Sequence, residues 1–549
     1  MPSPGNPFVN KTYAESLAIV AERFASREAL VFGSQRFTYA DLKRHVDAAS
    51  ARFASLGLNE GDRVALWLPN RPEFLWYWLG AAQLGLVVVV LNTRLTLNEM
   101  AYQLGQSESS AVLIPGDGAF RPFVSELMSL CPEIARSEPG NIHSAALPDL
   151  RYVIACDGLS DRPAGITDWS GALPFDKPVP PLAQDADAAS LISYSSGTTA
   201  LPKGALITHC VWRKAYDIGE RIDQTPEDRL YLCIPLFGSM AMMNGIAPFL
   251  ARGSSIILDE RFEPGAMLRA IEEHRCTAVH LLPTMIEQLA EHPALPQTDL
   301  TSLRVGWVLS DNARILDMAS DALRIPGVMT GYGLTETTTV LTRNRWDDPR
   351  AIRLTTQGYP LPDVELRIAD PATGMEIKPG EVGEIWARGY CIMKGYYKKP
   401  DEYARTMGPD GWFKSGDLGV IDATGRVSFR GRAGDSYKSR GFNISPAEIE
   451  AALASHNAVA AAAVVGIPHH AHGAVGVAFV VRHPGQDVEE AALLAWLKPH
   501  LSSFKMPARI QFIESLPMTA GTGKVQKFRL REMAAQGDAA TAESHGGTQ

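Results

Sequence analysis

Residues 254–309 read SSIILDERFEPGAMLRAIEEHRCTAVHLLPTMIEQLAEHPALPQTDLTSLRVGWVL. The segment predicts a strand over 254–258, a helix over 267–274, a strand over 277–282, a helix over 284–291 and a strand over 303–309. Strictly alternating strands and helices imply parallel sheets with helices on both faces.

The same grammar runs toward the N-terminus. Leu42, Val46, Ala49, Phe53 and Leu56 repeat at spacings of four and three, which places them on one helix face, and Gly57 stands where a helix C-terminal glycine belongs. Residues 63–68 read as a strand. The most apolar run, 75–91, contains Gly80, Gln83 and Gly85 before Val87-Val88-Val89-Val90. A buried helix running into a buried strand accounts for it better than a membrane span. Near residue 430 the character changes. A helix over 448–455, strands over 459–467 and 475–481, a helix over 488–501 and a short strand over 510–513 describe a small separate α+β domain. Residues 536–549, rich in Ala, Gly, Ser, Thr and Glu, read as a disordered tail.

The chain has 549 residues, too many for one compact core. Its composition, 46% hydrophobic and 21% charged, is that of a globular protein, and a net charge of −9 argues against general nucleic-acid binding. Six cysteines without a C-x-x-C pair read as reduced thiols, and no signal-peptide pattern opens the chain, so a cytoplasmic protein is expected. His469, His470 and His472 follow Ile467-Pro468 in an apparent turn and read as surface histidines, not metal ligands.

After the strand ending Ile192-Ser193-Tyr194 comes Ser195-Ser196-Gly197-Thr198-Thr199-Ala200-Leu201-Pro202-Lys203-Gly204. Small residues let the backbone approach a ligand, hydroxyls and N–H groups can surround phosphate oxygens, and Lys203 adds a point charge. The Gly197-to-Lys203 spacing equals that of a Walker A loop, but Pro202 and Gly204 stand where Gly and Ser/Thr would be. By composition alone the string reads equally as a surface loop.

The string resembles the phosphate loop of the adenylate-forming superfamily, which includes acyl-CoA synthetases, luciferases and adenylation domains; that family usually has Gly at the position of Ala200. Further matches follow in the family's order, and the resemblance covers residues 38–527. It implies a large N-terminal α/β domain (1–431) with parallel-rich sheets flanked by helices, and a small mobile α+β lid (432–535) with a hinge at Gly434. It implies ATP and coenzyme A as co-substrates and Mg²⁺ as cofactor. Ser195, Ser196, Gly197, Thr198, Thr199 and Lys203 would bind ATP. In Gly331-Tyr332-Gly333-Leu334-Thr335-Glu336-Thr337, Tyr332 would stack on adenine, Thr335 meet the α-phosphate and Glu336, with Thr198, hold Mg²⁺. Asp417, in Ser415-Gly416-Asp417, would bind the ribose hydroxyls, and Arg432 ribose and phosphate. Lys524, in Gly523-Lys524-Val525, would be the catalytic lysine, although the preceding loop is one residue longer than usual. The segments around Gly383–Gly389 and Gly395-Tyr396-Tyr397 match a structural motif to which no chemistry is assigned.

Three departures stand out. Gly238 replaces a bulky residue that separates acyl pocket from nucleotide; with Met240, Met242 and Met243 it suggests a wide apolar passage, though the methionines read equally as core. Asp311-Asn312 replace small residues near adenine and the acyl pocket, where Gly333 also belongs by resemblance; they also suit a helix cap. Gly434 replaces a charged hinge residue. Gly441 aligns with the pantetheine channel, and Arg440 is either a solvated charge or a CoA-phosphate contact. The expected reaction is activation of a bulky apolar acid (fatty, alicyclic or aryl) to acyl-AMP and transfer to coenzyme A. The rivals are a carrier-protein-loading adenylation enzyme, a luciferase-like oxygenase and a non-catalytic nucleotide sensor. Oligomeric state is not legible.

Overall fold

The structure is a computed structural model that describes residues 5–171, 179–195, 202–310, 313–371, 373–435, 437–439, 442–444, 446–469, 473–501, 505–518 and 525–535. The expected disordered tail over 536–549 lies outside the described residues. The chain divides into two compact units, Met1–Leu366 with Ala387–Phe413, and Arg367–Trp386 with Lys414–Gln549. This division follows compactness and does not bear on the hinge expected at Gly434.

The first unit is built on two seven-stranded sheets among the described residues. One runs in the order Gly327–Met329, Val305–Val308, Ala278–Leu281, Arg229–Leu232, Ser255–Leu258, Glu28–Phe32, Gln35–Thr38, parallel except for the last pair. The other runs Ile166–Asp168, Tyr152–Ala155, Ser109–Ile114, Arg63–Leu66, Val87–Val90, Ala189–Ser195, Lys203–Thr208, again with one antiparallel edge pair. The alternation in 254–309 thus gives the parallel sheet it implies. A smaller antiparallel sheet, Gly331–Leu334, Thr339–Arg343 and Tyr359–Pro360, carries the second signature.

Local rules explain the helices. Tyr39–Ser55 starts on a capping box: Asp41 N donates to Thr38 Oγ1 (3.1 Å), and Thr38 N donates to the Asp41 carboxylate (2.9 Å). It ends at Gly57, whose φ of +65° favours glycine. Leu42, Val46, Ala49 and Phe53 are fully buried, and Leu42, Val46 and Phe53 are each worth about 1.5–3 kcal/mol of transfer free energy. The helix packs against Pro72–Gln83, where a Cβ on Gly80 would lie 2.8 Å from the Ala49 Cβ, so the glycine sets how closely the two helices approach. Pro72–Gln83 is buried on all sides and leads into the buried strand Val87–Val90, as the apolar run predicted. No described helix is long and apolar enough to cross a membrane.

The second unit holds the antiparallel ladder of Phe413–Ile421 with Val427–Arg432 and, beyond it, a sheet of Phe442–Ile444, Tyr437–Ser439, Gly473–Arg482 and Val459–His469, with Arg509–Phe512 parallel to Gly473–Arg482. Helices Pro446–Ala454 and Glu490–Leu497 bury Ile449, Leu453, Leu493 and Leu497 in its core. Two expectations need correction. The helix predicted over 488–501 is Glu490–Leu497, shorter at both ends. His469 is not in a turn: the strand continues through Pro468, and His469 pairs with Gly473. His470 and His472 lie outside the described residues.

Candidate active site

The phosphate-loop candidate begins and ends on a hairpin. Strand Ala189–Ser195 pairs antiparallel with Lys203–Thr208, placing Ser195 opposite Lys203. Ser196, Gly197, Thr198 and Thr199, between them, lie outside the described residues. So do Asp311, Asn312, Arg440, Gly441 and Lys524. The first end of the loop nevertheless meets the second signature. Ser195 Oγ donates to Glu336 Oε1 at 2.7 Å, and Tyr396 OH donates to the same oxygen at 2.9 Å. Glu336 is buried, 8% exposed. Lys203 Nζ lies 2.6 Å from Glu402 Oε2 and 5.4 Å from the centre of the Tyr396 ring. That contact holds the Glu402 carboxyl below its ordinary pKa.

The turn presenting Glu336 is braced from several directions. Strand Gly331–Leu334 enters a 3₁₀ turn, Thr335–Thr337, and leaves through Thr338 (φ 52°) and Thr339 (φ 66°). Two consecutive β-branched residues in the left-handed region are strained and persist only where the surroundings over-determine them. Leu334 N donates to Thr337 Oγ1 (3.0 Å), Met393 N to the Glu336 carbonyl (2.8 Å), and Thr338 Oγ1 to the Cys391 carbonyl (2.8 Å). Lys214, only 1% exposed, donates through Nζ to the Thr337 and Thr338 carbonyls at 2.5 and 2.9 Å. Burial lowers its pKa, while the neighbouring Cys391, Cys210 and Asp217 oppose that shift. A buried ammonium gripping two carbonyls just past Glu336 fixes the direction in which that carboxylate points.

Gly333 has no room for a side chain: a Cβ there would fall 1.8 Å from the Thr339 carbonyl oxygen. Its absent side chain is therefore a requirement of the hairpin. Tyr332 is buried, 5% exposed, and Thr335 is half-buried beside Glu336. Gly238 precedes the short helix Ser239–Ala241, and a Cβ on it would meet only the Pro235 carbonyl, at 3.2 Å. Met240 is half-buried, whereas Met242 and Met243 are core residues of a π-helical turn, Met242–Ile246. Such turns often mark functional sites.

In the second unit the ladder register sets Asp417 opposite Arg432, and Arg432 Nε lies 3.0 Å from Asp417 Oδ1. Asp417 is 3% exposed, and its N–H donates to Ser415 Oγ. Gly434 follows, with nothing within 4 Å of where its Cβ would stand. Next to it, Asp435 pairs with Arg531 at 2.9 Å and Lys527 at 3.8 Å.

A family model described as AMP-binding enzyme matches residues 17–397, and one described as AMP-binding enzyme C-terminal domain matches 448–524. The chain belongs to the AMP-binding, adenylate-forming enzymes. Relatives of this family agree along nearly the whole length. A 3-[(3aS,4S,7aS)-7a-methyl-1,5-dioxo-octahydro-1H-inden-4-yl]propanoyl:CoA ligase of Mycobacterium tuberculosis is 34% identical over 95% of this chain and 99% of its own. A putative acyl-CoA synthetase, YngI, of Bacillus subtilis is 31% identical over 95% and 97%. ATP-bound MatB from Rhodopseudomonas palustris superposes with a TM-score of 0.80 at 27% identity, covering 95% of this chain and 98% of that one. This AMP-binding enzyme has acid–thiol ligase chemistry.

Sequence reading missed three residues here. Tyr396 was assigned no chemistry, yet its hydroxyl reaches Glu336 and its ring lies beside Lys203. Lys214 had a legible signal, because it interrupts the apolar helix stripe Val211, Ala215, Ile218. Glu402 had none, since only the fold brings it to Lys203.

Proposed function

We propose that this enzyme binds ATP with Lys203, Ser195, Thr335, Tyr332, Asp417, Arg432 and the loop of Ser196, Gly197, Thr198 and Thr199, joins it to a bulky apolar carboxylic acid, and passes the acyl group to coenzyme A. The observation that carries this reading is the buried Glu336 carboxylate, held by Ser195 and Tyr396 with the Lys203 ammonium beside the same tyrosine. Mg²⁺ usually takes one or two carboxylates plus phosphate and water oxygens. Glu336 fits that donor set: two hydroxyls fix Oε1, and no hydrogen bond to Oε2 occurs among the described residues. Thr198 would add a hydroxyl. Bound there, Mg²⁺ would supply charge neutralisation on the polyphosphate.

In the first step an oxygen of the acid attacks the α-phosphorus in line, and pyrophosphate leaves with the bonding electron pair. Lys524 stabilises the negative charge gathering between carboxylate and α-phosphate. Lys203 exchanges its Glu402 partner for a phosphate oxygen. In the second step the thiol of coenzyme A attacks the acyl carbon and AMP departs. The lid from Arg432 turns at Gly434 between the steps, taking Lys524 away and bringing in Gly441 and Arg440 for coenzyme A. The missing side chain at Gly238 and the half-buried Met240 suit a bulky apolar acid, and the M. tuberculosis relative is named for a bicyclic one. The cytoplasm, where ATP and coenzyme A are available, is the expected site of action.

Acid-dependent pyrophosphate release, measured with and without coenzyme A over a panel of acids, tests the reaction. Lys524→Ala tests the scheme: adenylation falls by about 10²–10³-fold, while thioester formation from supplied acyl-AMP survives. Equal loss of both half-reactions would refute a moving lid.

A further inference from the structure

Behind the hairpin that carries Glu336 lies a group of buried polar atoms that the reaction above does not use. Arg343, paired in register with Gly331, is 1% exposed. Its guanidinium carbon sits 4.0 Å above the Trp307 ring, and among the described residues no carboxylate or carbonyl accepts from it. Burial lowers its pKa to about 9 with no anion to raise it, which leaves it cationic at neutral pH. Trp307 is 2% exposed and its Nε1–H has no acceptor among the described residues. His280 stands beside Trp307 in the register of two adjacent parallel strands, so both side chains leave the same face; their rings are 6.5 Å apart, and the His280 ring bonds the Met240 backbone while its Nδ1 lacks a partner among the described residues. Burial holds that imidazole neutral, its pKa down at about 3.

Three strands thus supply three buried groups, each with a nitrogen unsatisfied among the described residues, and two of these nitrogens can only donate. A buried polar group without a partner is costly and a buried cation more so, so a cluster of them signals a missing acceptor. Its place indicates which one. A Cβ on Gly331 would touch both the Thr342 carbonyl and Trp307, so Trp307 lies directly under the strand leading to Glu336. Thr339 Oγ1, on the partner strand, donates to Asn244 in the π-helical turn just after Met240 (2.7 Å). Gly245, in the same turn, leaves the His280 imidazole uncovered by any side chain of its own. The cluster therefore lies between the Met242–Ile246 turn and the Glu336 hairpin.

We infer that Arg343, Trp307 and His280 form a polar end to the acyl chamber and select acids that carry a second oxygen acceptor, a ketone or a carboxylate, at the end away from the activated carboxyl group. This rests on the acid-activating function proposed above and narrows it: the acid is apolar along its body and oxygenated at its tip.

The test uses two matched series, 3-cyclohexylpropanoic acid with its 4-oxo and 4-carboxy derivatives, and octanoic acid with 7-oxooctanoic and octanedioic acids. Acid-dependent pyrophosphate release gives kcat/KM for each. A site built to bond a substrate oxygen rejects the analogue lacking it strongly, so the oxygenated member of the better series should lead its parent by about tenfold or more. The ketone and carboxylate arms show which acceptor is taken. Arg343→Met and Trp307→Phe should each collapse that ratio toward one, and thermal melting with ATP binding confirms that the variants are folded. The inference is overturned if the wild type treats oxygenated and parent acids alike, or if both variants lower all acids by one common factor. Absence of acid-dependent pyrophosphate release from every acid would instead count against the adenylation reading itself.

Discussion

The hairpin that presents Glu336 and the linker around Gly434 are both glycine-containing signature segments, and they are built in opposite ways. In the first, Gly333 is pressed onto the Thr339 backbone, and Lys214, Met393 and Cys391 hold the turn. In the second, the space a Gly434 side chain would fill is open among the described residues, its carbonyl accepts from Arg531 (3.3 Å), and the neighbouring Asp435 is held by Arg531 and Lys527, side chains that retain contact with solvent. Pre-organised charge needs geometry fixed before the substrate arrives. A hinge needs backbone that changes φ and ψ at little cost, and surface ion pairs contribute only about 0–1 kcal/mol each. The difference separates the part of the machine that stays from the part proposed to move.

Substitutions can break this contrast. Glu336→Gln should have the largest effect at the fixed hairpin, lowering adenylation by about 10²-fold or more while leaving the melting temperature near that of the wild type. A thermal scan beside the rate separates lost chemistry from lost fold. Gly333→Ala should follow: with a Cβ 1.8 Å from a carbonyl oxygen the hairpin must shift, costing about 1–3 kcal/mol in denaturant melts and most of the activity. Lys214→Met leaves two carbonyls unpaired but also removes a buried charge. A stability loss of about 1–3 kcal/mol, with a raised Mg²⁺ requirement, would mark Lys214 as a positioning residue for Glu336; a stability loss with an unchanged Mg²⁺ requirement would make it purely structural. Gly434→Ala should do least, since space is open there. A change of less than about threefold in either half-reaction is expected from its conformational cost, and a loss matching that of Gly333→Ala would erase the contrast.

Much of the fold was legible because periodicity is local. The strand–helix alternation of 254–309, the Leu42–Phe53 stripe and the 75–91 run all formed as read. The signature residues were legible as short strings, and the structure brings Ser195, Tyr396 and Glu336 together from three separate stretches. What could not be read is juxtaposition. Glu402 reaches Lys203 across 199 positions and Lys214 reaches Thr337 across 123, and nothing in either local string announces the partner. The cluster of His280, Trp307 and Arg343 is of the same kind: each looks like an ordinary strand residue, and only the sheet register and the shared lack of partners mark them as a group. The hairpin's need for glycine at Gly333 was equally hidden, because it comes from the backbone of Thr339 and not from a ligand.

The central claim is that an acid is activated as its adenylate before any thiol is involved. Exchange of labelled pyrophosphate into ATP, followed with the acid present and coenzyme A absent, tests it most directly. The account predicts acid-dependent exchange without coenzyme A, lost in Glu336→Gln, and net acyl transfer only once coenzyme A is added. Exchange that requires coenzyme A, or that proceeds equally without any acid, would contradict it.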